Sequence, residues 1–169
     1  MKKLYCAFNA TRQSFISLGV TIADTPLSRL RGLLGKMRMR SDEALWVVPS
    51  RGVHTIGLRF AIDVLYLDSK SRVVYAIENL GPLRIPPVRW DCASVLELPV
   101  RSIFDSGTQV GDQIMIRLPE DLNKYWETQR NEGAVTNGST PSLPTGIAAK
   151  PGSMKQVPQW LFGNDPRKG

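Results

Sequence analysis

Side chains capable of chemistry concentrate in one stretch, His54-Thr55-Ile56-Gly57-Leu58-Arg59-Phe60-Ala61-Ile62-Asp63. There the chain's only histidine, an arginine and an aspartate follow at intervals of four or five residues and run into the apolar segment Val64-Leu65-Tyr66-Leu67. Polar groups at the mouth of a buried strand are costly unless they meet one another or a ligand. Strand alternation puts Arg59 and Asp63 on one face, two pleats apart. Glu97, inside Ser94-Val95-Leu96-Glu97-Leu98-Pro99, and Arg29, on a helical segment, are the further charged candidates. An arginine fork suits a carboxylate or phosphate, with Asp63 and Glu97 orienting it. A histidine titrating near neutrality suits proton transfer, with Asp63 or Glu97 as its acid/base partner. The structural alternative pairs Arg59 or Arg29 with Asp63 or Glu97, as buried ion pairs that fix strand register.

Several chemistries lack their residues. There is no G-x-S-x-G nucleophile elbow and no G-x-x-x-x-G-K phosphate loop, and one histidine with two distant cysteines does not make a zinc site. The expectation is therefore no metal and no cofactor. Cys6 and Cys92 lack C-x-x-C spacing and read as buried small residues.

Short strands must carry these residues. Lys3 to Phe8 and Phe15 to Ile22 read as the first two, with Ile16, Leu18, Val20 and Ile22 on one face. Thr25-Pro26 opens a helix, with threonine as cap and proline in the first turn, and Gly35 is the expected stop. Ala44 to Val48, Phe60 to Leu67, Arg72 to Ile77, Ser94 to Pro99 and Gln113 to Leu118 follow as strands, with a single helical turn before Val110-Gly111-Asp112. Gly81-Pro82-Leu83-Arg84-Ile85-Pro86-Pro87-Val88-Arg89-Trp90 cannot form a regular ladder and reads as an ordered loop walling a pocket. The expected fold is mainly β (α+β): a compact, barrel-like antiparallel or mixed sheet with one packed helix.

Residues 1–119 form this domain; residues 120–169 read as a disordered or extended tail rich in Pro, Gly and Ser, with a short helix over 121–130. Within the tail, Gln159-Trp160-Leu161-Phe162 reads as a docking element or a motif for a protein partner. The formal net charge of +7 bears on partners and solubility more than on fold. Met1 to Phe8 imitates a signal peptide, but Asn9, Thr11, Arg12 and Gln13 interrupt it, and no apolar run reaches transmembrane length. The expectation is a soluble, cytoplasmic protein without a membrane partner.

Three segments, in order, resemble a small prokaryotic family, domain of unknown function family 192. They are Thr25-Pro26-Leu27-Ser28-Arg29-Leu30-Arg31-Gly32-Leu33-Leu34, then His54 through Asp68, then Val95-Leu96-Glu97-Leu98-Pro99 followed by Val110-Gly111-Asp112. The resemblance runs from about Ser14 to Leu118. This chain departs from the family pattern at Ser28, where an acidic residue is usual, at Leu58, usually methionine, and at Ala61, usually proline. The resemblance implies a compact, mostly β domain with one packed helix, and implies no activity.

The leading functional expectation is a small binding or accessory domain. Its pocket, near His54, Arg59, Asp63, Glu97 and Arg29, would take a small anionic or polar ligand, with the tail contacting a protein. The alternative is an acid/base enzyme using His54 with Asp63 or Glu97. A third reading, non-specific nucleic-acid binding, rests on the basic stretch 29–40 with Arg89 and Trp90. The basic residues are not interleaved with aromatics there, which argues against it.

Overall fold

The computed structural model describes residues 4–136. The tail element Gln159–Phe162 lies outside the described residues. The chain divides into a first unit ending at Ile116 and a second beginning at Arg117.

The first unit is built from β1 (Tyr5–Asn9), β2 (Ser14–Ala23), α1 (Pro26–Arg31), β3 (Glu43–Val47), β4 (Ile62–Leu67), β5 (Val73–Leu80), β6 (Ser94–Pro99), α2 (Ser102–Ser106) and β7 (Ile114–Arg117). The strands form one seven-stranded sheet in the order β5-β4-β6-β3-β2-β1-β7. β2 and β3 run parallel, joined through α1, whereas β1–β2, β3–β6, β4–β5 and β4–β6 are antiparallel. The sheet curls so that its opposite edges meet at one end. There Val73 N–H donates to Asp112 O (2.9 Å), Gly111 N–H to Val73 O (2.8 Å) and Ile114 N–H to Ser71 O (2.9 Å). The result is the expected mostly β half-barrel.

Alternation along the strands gives the sheet two apolar faces. Leu65 and Leu67 of β4 join Val20, Ala44, Leu96, Leu98 and Ile103 in one core. Ile62, Val64 and Tyr66 of the same strand join Leu45, Val47, Val95 and Cys92 in a second. That second core is closed by loop and helix-end residues, Leu33, Val53 and Leu58, rather than by another sheet. β4 is thus buried on both sides, which is why it reads as a continuous apolar run interrupted only by Asp63.

Thr25 caps α1 as its sequence predicts. Its Oγ1 accepts from Ser28 N–H (3.1 Å), and Ser28 Oγ accepts from Thr25 N–H (3.0 Å), a reciprocal capping box. Ser28 therefore fills the position at which the box normally carries an acidic or amide side chain. The helix ends at Gly32, not at the expected Gly35. Gly32 adopts φ +43° and its N–H closes on Ser28 O at 2.9 Å, conditions that favour glycine. Gly19 marks a close approach: its N–H donates to Asp42 O at 2.8 Å, and a Cβ there would lie 2.9 Å from the same oxygen.

The second unit contains α3 (Pro119–Thr136), which spans the helix expected over 121–130 and extends beyond it in both directions. No helix among the described residues is long and apolar enough to cross a membrane.

Candidate functional site

Asp63 is fully buried, and its carboxylate is occupied by backbone. Oδ1 accepts from Asn79 N–H (2.9 Å) and Oδ2 from Ile103 N–H (3.1 Å). Asn79 takes a positive φ of 53° near the end of β5, and α2 begins at Arg101 (φ 73°) with no capping side chain of its own. Asp63 thus acts as a remote cap, supplying from β4 the acceptor that the first turn of α2 lacks locally. The expected pairing of Asp63 with Arg59 or Arg29 is not formed. β4 starts at Ile62, so Arg59 precedes the ladder and the alternation that would align it with Asp63 does not apply.

Glu97 points to the other face. In the β4–β6 register Asp63 lies opposite Leu98, and Val64 opposite Glu97, so the two carboxyls fall on opposite sides of the sheet. Glu97 is buried among the residues of the second core and enters no ion pair or hydrogen bond among the described residues. Burial pushes its carboxyl up from 4.5 to about 7. Tyr66 is its diagonal neighbour across the β4–β6 ladder, and the Tyr66 hydroxyl is buried with no hydrogen-bond partner among the described residues. Desolvation, with smaller contributions from Cys92, Tyr75 and Glu97, pushes that phenol up to about 12.

The remaining candidates are accessible. His54 is exposed and makes no hydrogen bond or ion pair among the described residues. Arg59 is exposed, with Nη1 3.6 Å from Met37 Sδ. Arg29 Nη1 donates to Pro49 O (2.8 Å) and holds the start of the 49–60 loop against α1. His54 lies in that outer loop while Asp63 faces the opposite core, so the proposed acid/base couple between them has no shared cleft. In the basic stretch, Lys36 pairs with Glu43 (2.8 Å) and Arg40 with Asp42 (3.3 Å), which partly neutralises it.

An open cleft of about 340 Å³ lies beside the second core, lined by Ser50, Arg51, Ser69, Trp90, Asp91 and Cys92 together with Pro49 and Ala93. The Arg51 guanidinium stands over the Trp90 ring, 5.2 Å from its centre. Arg89 grips Asp91 through two hydrogen bonds (3.1 and 2.9 Å), which hold that carboxyl below its usual range, and stacks on Tyr75 at 4.8 Å. Cys92 Sγ donates to Ser94 O (3.1 Å) and Ser50 O (3.4 Å), and burial pushes the thiol up. A thiol held in its neutral form is a weak nucleophile. The cleft therefore offers a cation, an aromatic plate and hydroxyls: groups suited to recognition.

Sequence reasoning missed this grouping because Arg51 and Trp90 are 39 residues apart. What unites them is the antiparallel course of the 51–55 and 84–89 loops, where Arg89 N–H donates to Arg51 O (2.8 Å) and Thr55 N–H to Arg84 O (2.9 Å). A second unforeseen cluster surrounds Asp112, expected only as part of a turn. Its carboxylate accepts from Asn9 Nδ2 (2.9 Å), Gln109 N–H (2.9 Å) and Arg12 Nε (3.1 Å). Burial alone would raise this carboxyl, but those three donors together outweigh it and hold the group below its usual range. Both carboxylate oxygens of Asp112 are matched within the cluster, and we assign it to the fold.

A mixed, curled β half-barrel with one capped helix and a loop-covered outer face defines the class of protein. The DUF192 family (uncharacterized ACR) matches residues 8–116, and the chain belongs to that family. The structure is similar to that of a candidate transcription regulator from Sinorhizobium meliloti 1021, with TM-score 0.60 and 24% identity over 69% of this chain and 94% of that one. It is also similar to a protein of unknown function from Novosphingobium aromaticivorans, with TM-score 0.58 and 16% identity over 66% and 83%. At these identities the likeness is one of fold. No curated protein matches the chain.

Proposed function

We propose that the domain is a binding or accessory module, and that the cleft between the 49–51 and 90–93 segments takes a small anionic or polar ligand. The observation that carries this reading is Arg51. Its guanidinium enters no ion pair among the described residues, yet it is oriented by the Trp90 ring at the lip of a cleft large enough for a small molecule. Arg29 supports the site indirectly through its bond to Pro49 O, which lines the cleft. Arg59, exposed on the same loop, adds positive charge to this face. Both cysteines are buried free thiols, which suits a reducing compartment such as the cytoplasm.

Calorimetric titration of the full chain with small carboxylates, phosphates and sugars tests the reading, repeated with Arg51→Ala and Trp90→Ala. One ligand class should bind, and each variant should weaken it at least tenfold while leaving the unfolding midpoint within a degree or two. If no class binds, or if the variants bind as the wild type does, the cleft is not a ligand site.

A further inference from the structure

The loops covering the second core expose a row of large apolar side chains. Leu83, Ile85, Val88 and Trp90 are each more than half exposed, Trp90 to 79%, and Ile56 is nearly so. They belong to one surface because the backbone ties them together. Thr55 binds the proline-rich loop four ways: its N–H donates to Arg84 O (2.9 Å), its carbonyl accepts from Leu83 N–H (3.1 Å), and its Oγ1 accepts from Arg84 N–H (2.9 Å) and donates to Gly81 O (2.7 Å). Gly52 faces Val88, since a Cβ there would lie 3.6 Å from Val88 Cγ2. On the other side Gly57 abuts Leu34, and Arg59 reaches Met37, whose side chains are also exposed. Singly exposed apolar residues are ordinary, but a contiguous row on a braced ridge marks an interaction surface.

Charge indicates what the ridge meets. Residues 27–59 and 81–93 together hold nine arginines and lysines against three acidic residues, a net excess of six positive charges in the segments that flank and form this surface. The apolar row is interleaved with Arg84 and Arg89 and flanked by Arg51 and Arg59. Prolines 82, 86 and 87 and the Thr55 bonds hold the loop in place, so docking orders little additional chain. Exposed Trp and Arg held in advance are the residue types that dominate protein interfaces.

We propose that this ridge docks an acidic, amphipathic segment of a partner protein. The partner's aliphatic or aromatic residues would cover Leu83, Ile85 and Val88, and its carboxylates would meet Arg84 and Arg59. The proposal goes beyond the small-ligand cleft: the two share Trp90, but Leu83, Ile85 and Val88 do not line the cleft.

A random dodecapeptide library displayed on phage, selected on the immobilised full chain, tests it. Selected sequences should combine Asp or Glu with large apolar residues. A synthetic peptide of that consensus should bind in solution at least tenfold more weakly to Ile85→Glu and to Arg84→Glu, and more weakly as salt is raised. Arg51→Ala, which disables the cleft, should leave most of the peptide affinity, separating failure of one reading from failure of the other. A basic or neutral consensus, no enrichment, or equal binding by Ile85→Glu overturns the proposal. So does binding to phosphatidylglycerol vesicles that Ile85→Glu abolishes and the peptide does not displace, which would make the ridge a lipid-facing surface.

Discussion

Replacing Glu97 by glutamine should stabilise the domain, and only above acidic pH. In the folded chain this carboxyl titrates near 7, whereas an unperturbed one titrates near 4.5, because burial in the second core disfavours the charged form and no described cation or donor compensates. Below about pH 4.5 both states carry the proton and the site is neutral to folding. Between 4.5 and 7 the unfolded chain has released its proton while the folded chain retains it, so stability falls as pH rises, and above 7 the full penalty applies. A gap of about 2.5 in pKa, at about 1.4 kcal/mol for each, gives a penalty of about 3 kcal/mol. For a unit of this size that is on the order of 10 °C in Tm. Glutamine keeps the shape and cannot ionise. Urea unfolding of the wild type and Glu97→Gln from pH 4 to pH 9 should therefore give curves that coincide at pH 4 and diverge to about 3 kcal/mol by pH 8, the variant being more stable. Parallel curves across the range would refute the reasoning, since they would mean that Glu97 is charged and solvated or has a partner in the folded state.

Two further expectations concern the satisfied carboxylates. Asp63→Ala strips the acceptor from the buried Ile103 N–H and the partly buried Asn79 N–H, and should cost about 2 kcal/mol in denaturant unfolding. It should also unprotect the α2 amides in hydrogen exchange before the rest of the sheet; uniform loss of protection would argue against the remote cap. Asp112 has the opposite pH signature to Glu97. Its lowered pKa contributes stability that is present above the usual carboxylate range and lost as pH falls through the lowered value. Asp112→Asn should thus lower stability at pH 7 by about 1–2 kcal/mol and flatten the decline below pH 4, and an unchanged acid limb would exclude the role.

What the sequence displays most clearly is what depends on near neighbours. The capping of α1 by Thr25 was legible because the box lies within four residues, and β6 was legible to its ends because both of its faces are buried. The stop of α1 at Gly32 was obscured because Gly32 and Gly35 offer the same freedom, and only the first closes the turn on Ser28. The site was harder for a geometric reason. Spacing in the chain grouped His54, Arg59 and Asp63, but the strand begins at Ile62, so the first two remain in the covering loop while the third faces the opposite core. No periodicity reveals that a carboxylate will serve a helix 40 residues later, or that Asn9 will meet Asp112 across 103 residues.

Glu97 and Asp63 show how far position on a sheet decides the chemistry of one residue type. They sit on adjacent strands in nearly aligned register, and both are buried. Asp63 faces the core that holds α2, where helical and bulge N–H groups without ladder partners need acceptors, so it is absorbed into the fold. Glu97 faces the core closed by loops, whose backbone groups bond to one another, as Thr55 does with residues 81–84, and it finds no donor. Burying a carboxyl and the Tyr66 hydroxyl without partners lowers the stability of that face. The same covering layer carries the cleft, the cationic excess and the exposed apolar row. The face that leaves the Glu97 carboxyl without a donor is thus also the one whose outer surface carries the groups suited to binding.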